Sequence, residues 1–207
     1  MNAGPFRYLF VVVVLTLLSP VASVAASADQ AAEFIQSLAD QAIEVLRAED
    51  TTLAEREVRF RALLKDRFAV RTIGRFVVGP YWRKATPEQR TTYLELFSEW
   101  IVKTYAVRFG GYTNEKFTIT GTRVNPADQD IFVGTRIGKP DSSVAYRANW
   151  RVREMNGSYK IIDVEVEGIS MALIQQGEFK SVARRKGMDG LLQVLRERIQ
   201  EISQNGS

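Results

Sequence analysis

The chain contains neither cysteine nor histidine. Without thiolate or imidazole it cannot build a disulfide, a cysteine nucleophile, a Ser-His-Asp triad or an imidazole metal site. Nucleophile or metal chemistry would have to rest on carboxylates, Ser/Thr, Tyr or Lys, which disfavours most enzyme classes. Phosphate-cradling loops are missing too. There is no G-x-x-x-x-G-K-[ST] and no G-x-G-x-x-G, and Gly110-Gly111 and Gly187-x-x-Gly190 lack the required surroundings. No internal repeat, low-complexity tract or long linker divides the sequence. Charge of one sign is scarce as well: 28 Lys+Arg stand against 24 Asp+Glu, a mild excess rather than a nucleic-acid footprint.

What is present is apolar. The 207 residues are 45% hydrophobic and 10% aromatic, enough for one domain with a sizeable core. The first segment reads as an export signal over residues 1–28. Arg7 supplies a positive start, Tyr8 to Leu18 (YLFVVVVLTLL) an apolar run, and Ala26-Ser27-Ala28 small residues for cleavage. That run is too short to cross about 30 Å of hydrocarbon, so cleavage is expected rather than anchoring, and no cysteine follows to take a lipid. Export from the cytoplasm is therefore expected. Losing Arg7 leaves 27 basic residues against 24 acidic, a net charge of +3 for the remaining 179 residues. Without disulfides, stability must come from packing.

Residues 29–202 are expected to form one folded unit and 203–207 a disordered tail. From Asp29, a candidate N-cap, the residues Phe34, Ile35, Leu38, Ala42, Val45 and Leu46 recur at helical spacing. A second helix is expected from Thr51 or Thr52 to about Phe68. The stretch Phe68 to Arg83 has no clean period and is punctuated by Gly74, Gly79 and Pro80, which suggests a short helix between turns. Thr86-Pro87-Glu88-Gln89 carries a capping box and a proline suited to a first turn, so a long helix should run to about Phe109 and end at Gly110-Gly111. Its apolar set covers well over half its circumference. Such a helix is either sandwiched between other elements or lines something apolar.

From Lys116 the period changes to two. Phe117, Ile119 and Val124 suggest one strand, Ile131, Val133 and Ile137 a second, and Val144 to Val152 a third; Tyr159 to Val166 forms a fourth. Short turns at Asn125-Pro126, Gly138 to Ser142 and Asn156-Gly157 force antiparallel neighbours. Helical spacing returns through Met171 to Arg185 and again from Met188 to Ile202. The fold class is therefore α+β, a helical layer on a curled four-stranded antiparallel sheet.

Candidate chemistry is thin. Asp163, Glu165 and Glu167 alternate along the fourth strand and are read as a solvated face in preference to a metal or acid–base cluster. Arg147, Arg151 and Arg153 form a basic row on the third strand, an outer face or, more sharply, a docking surface for an acidic partner. Arg184-Arg185-Lys186 reads as a helix-terminal cluster. The notable feature is surplus apolar surface: Phe76, Val77, Val78, Tyr81 and Trp82 in the helical half; Tyr93, Phe97, Trp100, Ile101 and Tyr105 on the long helix; and Tyr146, Ala148, Trp150, Ile162, Val164 and Val166 on the sheet. Singly these are core residues; together they could surround a cavity.

Several stretches, in order, resemble one family. The exported start, Ile73 to Arg83 (IGRFVVGPYWR), Ala85 to Arg90 (ATPEQR), Leu96-Phe97 and Val164 to Ser170 (VEVEGIS) are similar to the MlaC family, periplasmic phospholipid-binding, toluene-tolerance-type auxiliary components of an ABC transport system. The similarity runs from about Gln30 to Glu201. A sister branch, HpnM, associated with hopanoid biosynthesis, is also similar. Gly79-Pro80 departs from many relatives before Tyr81-Trp82. The resemblance implies a mixed helix–sheet fold with an apolar pocket for acyl chains. It also implies a soluble, monomeric shuttle between an outer-membrane lipoprotein complex and an inner-membrane ABC transporter complex, maintaining outer-membrane lipid asymmetry. No cofactor, metal or nucleic acid is implied. The expected lipid-binding residues are those apolar groups, Val78 excepted, and the expected partner-docking residues are Arg147, Arg151 and Arg153. Two alternatives stand beside it: a hopanoid-related carrier, and a periplasmic adaptor that binds no lipid.

Overall fold

The computed structural model describes residues 21–47, 52–106, 115–139 and 145–205. Most of the expected export signal, the helix end at Phe109 to Gly111, Val144 and the turn at Pro140 to Ser142 lie outside the described residues.

Local signals set most helix starts. Thr52 caps α2 (Leu53–Arg67): its hydroxyl accepts from the Glu55 amide at 3.3 Å while the Glu55 carboxylate accepts from the Thr52 amide at 2.9 Å. Thr86 and Gln89 repeat this reciprocal pairing at 3.2 and 3.0 Å ahead of α5 (Pro87–Ala106). The stretch expected as a single short helix is two, α3 (Val70–Val78) and α4 (Tyr81–Lys84), separated by the turn at Gly79-Pro80. Helix α1 (Val21–Arg47) starts before Asp29, which is an exposed interior residue rather than a cap. The last helix, α6 (Met171–Asn205), breaks at Gly187, whose φ of 70° and ψ of −173° no helix accommodates; it is two helices joined at an elbow, and its second half runs past Ile202 to Asn205.

The sheet is an antiparallel meander of β1 (Lys116–Val124), β2 (Ile131–Gly138), β3 (Ala145–Met155) and β4 (Ser158–Val166) in sequence order. A fifth strand, β5 (Ile169–Ser170), is added to the four expected. The β3–β4 hairpin turns on Asn156 and Gly157, both at positive φ, as a tight two-residue turn demands. Two irregularities adjust the register. Thr120 is the extra residue in β1, and it lies over Gly134, where a Cβ would come within 2.8 Å of its hydroxyl. Ile162 is the extra residue in β4, where pairing passes from Arg151↔Asp163 to Val152↔Ile161.

Two separate cores hold the molecule together. In the first, α3, α4 and α5 pack against both halves of α6, around Tyr93, Phe97, Trp100, Phe179, Leu191 and Leu195. The close approach of α3 to α5 requires Gly74, since a Cβ there would sit 3.0 Å from Leu94 and 3.1 Å from Phe97. The Tyr93 hydroxyl donates to the Gly74 carbonyl at 3.0 Å across the same contact. In the second core, Ala31, Ile35 and Leu38 of α1 cover Ile131, Val133, Val152 and Ile161 of the sheet. Phe68, at the link from α2 to α3, bridges to Ile161 in parallel and covers that end of the β4 edge; β5 covers the other end. Among the described residues, no helix is long and apolar enough to cross a membrane.

Candidate functional site

The register orders the inner face of the sheet into cross-strand rows. Val124, Ile131, Val152 and Ile161 form the first row, and the last three are buried beneath α1. In the second, Val133 is buried but Trp150 and Val164 are only half-buried. The third passes from Ile119 through Thr135, Ala148 and Val166 to Ile169, which is 54% exposed. The fourth holds Phe117, Ile137 and Tyr146, the last 60% exposed. Apolar burial is therefore complete at the end beneath α1, mixed in the middle, where Thr135 and Ala148 are buried but Trp150 and Val164 are not, and lost at Ile169 and Tyr146. Beside the exposed end, α6 begins with Leu173 and Ile174, which are 58% and 42% exposed. Isolated apolar side chains on a surface are ordinary, but an apolar sheet end continued by apolar residues of the adjoining helix marks a place built to be covered.

Thr135 and Trp150 sit where the buried part gives way to the open part. The Thr135 hydroxyl donates to the Ala148 carbonyl and accepts from the Trp150 indole N–H, both at 3.0 Å. That pairing satisfies the indole and fixes the large ring on the inner face.

The fifteen apolar residues expected to line one compartment divide between the two cores. Val77, Trp82, Tyr93, Phe97 and Trp100 are buried in the helical core. Their rings meet Phe179 and one another at centroid distances of 5.4 to 6.4 Å. Tyr81 and Ile101 pack partly buried against this cluster, and Tyr105 lies 6.5 Å from the Phe60 ring. Phe76 turns outward, 46% exposed. With Thr72, Arg75, Gly79, Pro80, Trp82 and Arg83 it lines an open depression of about 500 Å³. Tyr146, Ala148, Trp150, Val164 and Val166 share the inner sheet face, and Ile162 occupies the bulge. Phe179 went unnoticed in the sequence, although Ala172, Phe179 and Ala183, all buried, continue one helical stripe that could have exposed it.

The three arginines of β3 project from the opposite face, and each has an internal partner. Arg151 and Arg153 both bind Asp130, a fully buried carboxylate, with contacts of 2.6 to 2.8 Å, and Arg151 also reaches Asp128 at 2.6 Å. Arg147 pairs with Glu167 at 3.1 Å. Their charge is spent holding the β2 start and the β4 end to β3. The Arg147 amide N–H, donated to the Glu167 carboxylate, holds that carboxyl below its usual range, with the guanidinium adding to the effect.

The carboxylates of β4 are structural too. Asp163 accepts from the Ser170 hydroxyl at 2.5 Å and from the Ala172 amide at 3.0 Å, which ties the start of α6 to the sheet. Glu165 accepts from the Asn149 amide at 3.3 Å. Among the described residues there is no group of three acidic side chains placed to hold a metal ion. The chemistry available at the open end is apolar contact.

Comparison with known proteins bears on this geometry. The MlaC protein family profile matches residues 36–197. An intermembrane phospholipid transport system binding protein MlaC of Haemophilus influenzae is 24% identical over 123 residues, 58% of this chain and 56% of the relative. The toluene tolerance protein ttg2D of Pseudomonas putida is 26% identical over 109 residues, 53% of this chain and 50% of the relative. The chain thus spans about half the length of the curated relatives it matches. A phospholipid-binding protein from Ralstonia solanacearum, solved in complex with a phospholipid, shares the fold with a TM-score of 0.74 at 19% identity, covering 83% of this chain and 98% of that one.

Proposed function

The chain belongs to the MlaC protein family, and on that premise we propose that it is a periplasmic phospholipid carrier. It takes up a lipid at the open end of the sheet and hands it between an outer-membrane complex and an inner-membrane ABC-type transporter, which maintains outer-membrane lipid asymmetry. The observation that carries this reading is the decline of burial along the inner sheet face, from Ile161 to Tyr146.

The physics of the role matches such a surface. Each methylene moved out of water gains about 0.8 kcal/mol, so two long acyl chains are worth on the order of 20 kcal/mol. Free lipid monomer is then negligible, and a carrier has to cover most of both tails while leaving the headgroup in water. This work needs no nucleophile, metal or nucleotide. Tyr146, Ala148, Trp150, Val164 and Val166 are the contact residues of the sheet in this reading, with Ile101 and Tyr105 the candidates on the helical side. Tyr93, Phe97 and Trp100 support the site from behind. Hopanoids would suit the same apolar surface. A docking role for Arg147, Arg151 and Arg153 fits less well, because all three are already paired.

Mass spectrometry of organic extracts from the purified protein should find co-purified phospholipid, and labelled lipid should be taken up from vesicles. Absence of both, with the protein folded, overturns the carrier reading. Ala148→Leu adds bulk at a buried position in the middle of the face and should displace lipid; an adaptor would be indifferent to it.

A further inference from the structure

Four side-chain polar atoms are buried without a hydrogen-bond partner among the described residues: Arg56 Nε, Arg67 Nε, Thr104 Oγ1 and Gln175 Oε1. Arg67 is nonetheless ion-paired with Asp66 at 2.9 Å. Arg56 belongs to α2, which meets α5 along Glu99 and Lys103 through Arg61 and Glu57. Thr104 is on α5 and Gln175 on α6.

The helix directions bring these two together. Phe76 of α3 and Gly79, which caps it, lie against Gln176 and Lys180, so α3 and the first half of α6 run parallel. Phe97 meets Phe179 with ring centroids 6.0 Å apart, while Gln89, two turns earlier on α5, donates to Asp189 just past the Gly187 elbow. The first half of α6 is therefore antiparallel to α5. Trp100 and Phe179 touch, with ring centroids 5.4 Å apart. One turn beyond Trp100 is Thr104, on the same face as Tyr93, Phe97 and Trp100; one turn before Phe179 is Gln175. The two polar groups thus lie at the end of the aromatic core nearest the start of α6, where Leu173 and Ile174 are exposed.

A buried hydroxyl or amide without a partner costs about 1–3 kcal/mol, and an apolar residue of similar shape would avoid that cost. The nearby charge is unavailable to an anion, because Lys103 is held by both oxygens of Glu57 at 2.8 and 2.9 Å. A neutral acceptor is what fits. Turned about its last bond, the Gln175 amide presents N–H where its oxygen now lies, so the pair offers two donors. We propose that Thr104 and Gln175 receive the ester carbonyls of a diacyl lipid whose tails lie along the open sheet end. This deepens the carrier reading and rests on it. It assigns specificity for ester-linked glycerolipids over lipids without that polar junction, hopanoids included.

The test compares one phosphatidylethanolamine in diester form with its diether analogue of equal chain length, bound to delipidated full-length protein. The wild type should favour the diester by about threefold to tenfold, the range a single net hydrogen bond gives. Thr104→Val should abolish most of that preference while melting at or above the wild-type temperature, and Thr104→Ser should retain it. Gln175→Leu provides a second, independent reading. Equal wild-type affinity for the two lipids overturns the inference and leaves the carrier reading standing, as does a preference that survives Thr104→Val and Gln175→Leu together. Failure of the wild type to bind either lipid overturns both.

Discussion

At one end of the inner sheet face, Ile131, Val152 and Ile161 are sealed under Ile35 and Leu38; at the other, Ile137 and Tyr146 have no such cover. The strands are the same and so is the alternation, so strand pattern alone does not decide the difference. Helix placement does. Helix α1 lies over the first end, pinned beyond the expected cleavage point where the Tyr159 hydroxyl donates to the Gln30 side-chain oxygen at 3.2 Å. The helical core over α5 is filled by its own rings. One end of the face therefore contributes stability, and the other is left uncovered, where the proposed lipid would bind.

The largest effect should come from the sealed end. Ile161→Ala should cost about 2–5 kcal/mol in urea unfolding, as a large-to-small change in a filled core does, and leave the lipid bound by the folded fraction unchanged. A loss of lipid with intact stability would reverse the assignment of the two ends. Asp130→Asn comes next. It removes the buried charge that Arg151 and Arg153 share, but both arginines are partly exposed, so water limits the cost to about 1–3 kcal/mol. Lipid uptake should survive; if it falls in proportion to a lost partner complex, the outer face is the working one.

Tyr93→Phe probes whether the helical core is dry. Loss of its buried hydrogen bond to Gly74 should cost about 1 kcal/mol at neutral pH. Burial pushes the Tyr93 phenol well above the ordinary tyrosine range. A group whose folded pKa is raised contributes stability below its unfolded pKa, about 10 for tyrosine, and that contribution declines as pH rises beyond it. The wild type should therefore lose stability faster than Tyr93→Phe in alkaline urea titrations, and parallel declines would mean that water reaches the ring. The smallest stability effect belongs to Tyr146→Ala, within about 0.5 kcal/mol, as expected for an exposed side chain. Lipid transfer between vesicles should nevertheless slow, and an unchanged rate would remove the open end from the site.

Much of the fold was readable from local chemistry. The helix start at Thr52, the Thr86 cap, the Asn156-Gly157 hairpin and the alternation through β3 depend on neighbours only a few residues away, and each forms as expected. Features set by distant contacts were not readable. Asp29 looks like a cap, yet the helix continues through it because nothing in the preceding residues stops a helix. The bulge at Ile162 shifts the alternation by one, which no period-two reading of β4 anticipates. The arginines of β3 read as free charge because Asp128 and Asp130, more than 20 positions away, become their neighbours only when β2 pairs with β3. The apolar surplus was visible, but its division between a filled helical core and an uncovered sheet end depends on where Phe179 and α1 come to rest.

A protein that keeps greasy surface uncovered runs the risk of stacking with its own kind, and strands with unpaired edges offer the easiest template for that. Here one flank of the sheet is occupied at both ends, by Phe68 and by β5. On the other flank, the extra Thr120 kinks β1 out of line and spoils the regular ladder that a newcomer would have to match. Deleting Thr120 would straighten that margin, and the expected penalty is fibrils rather than unfolding.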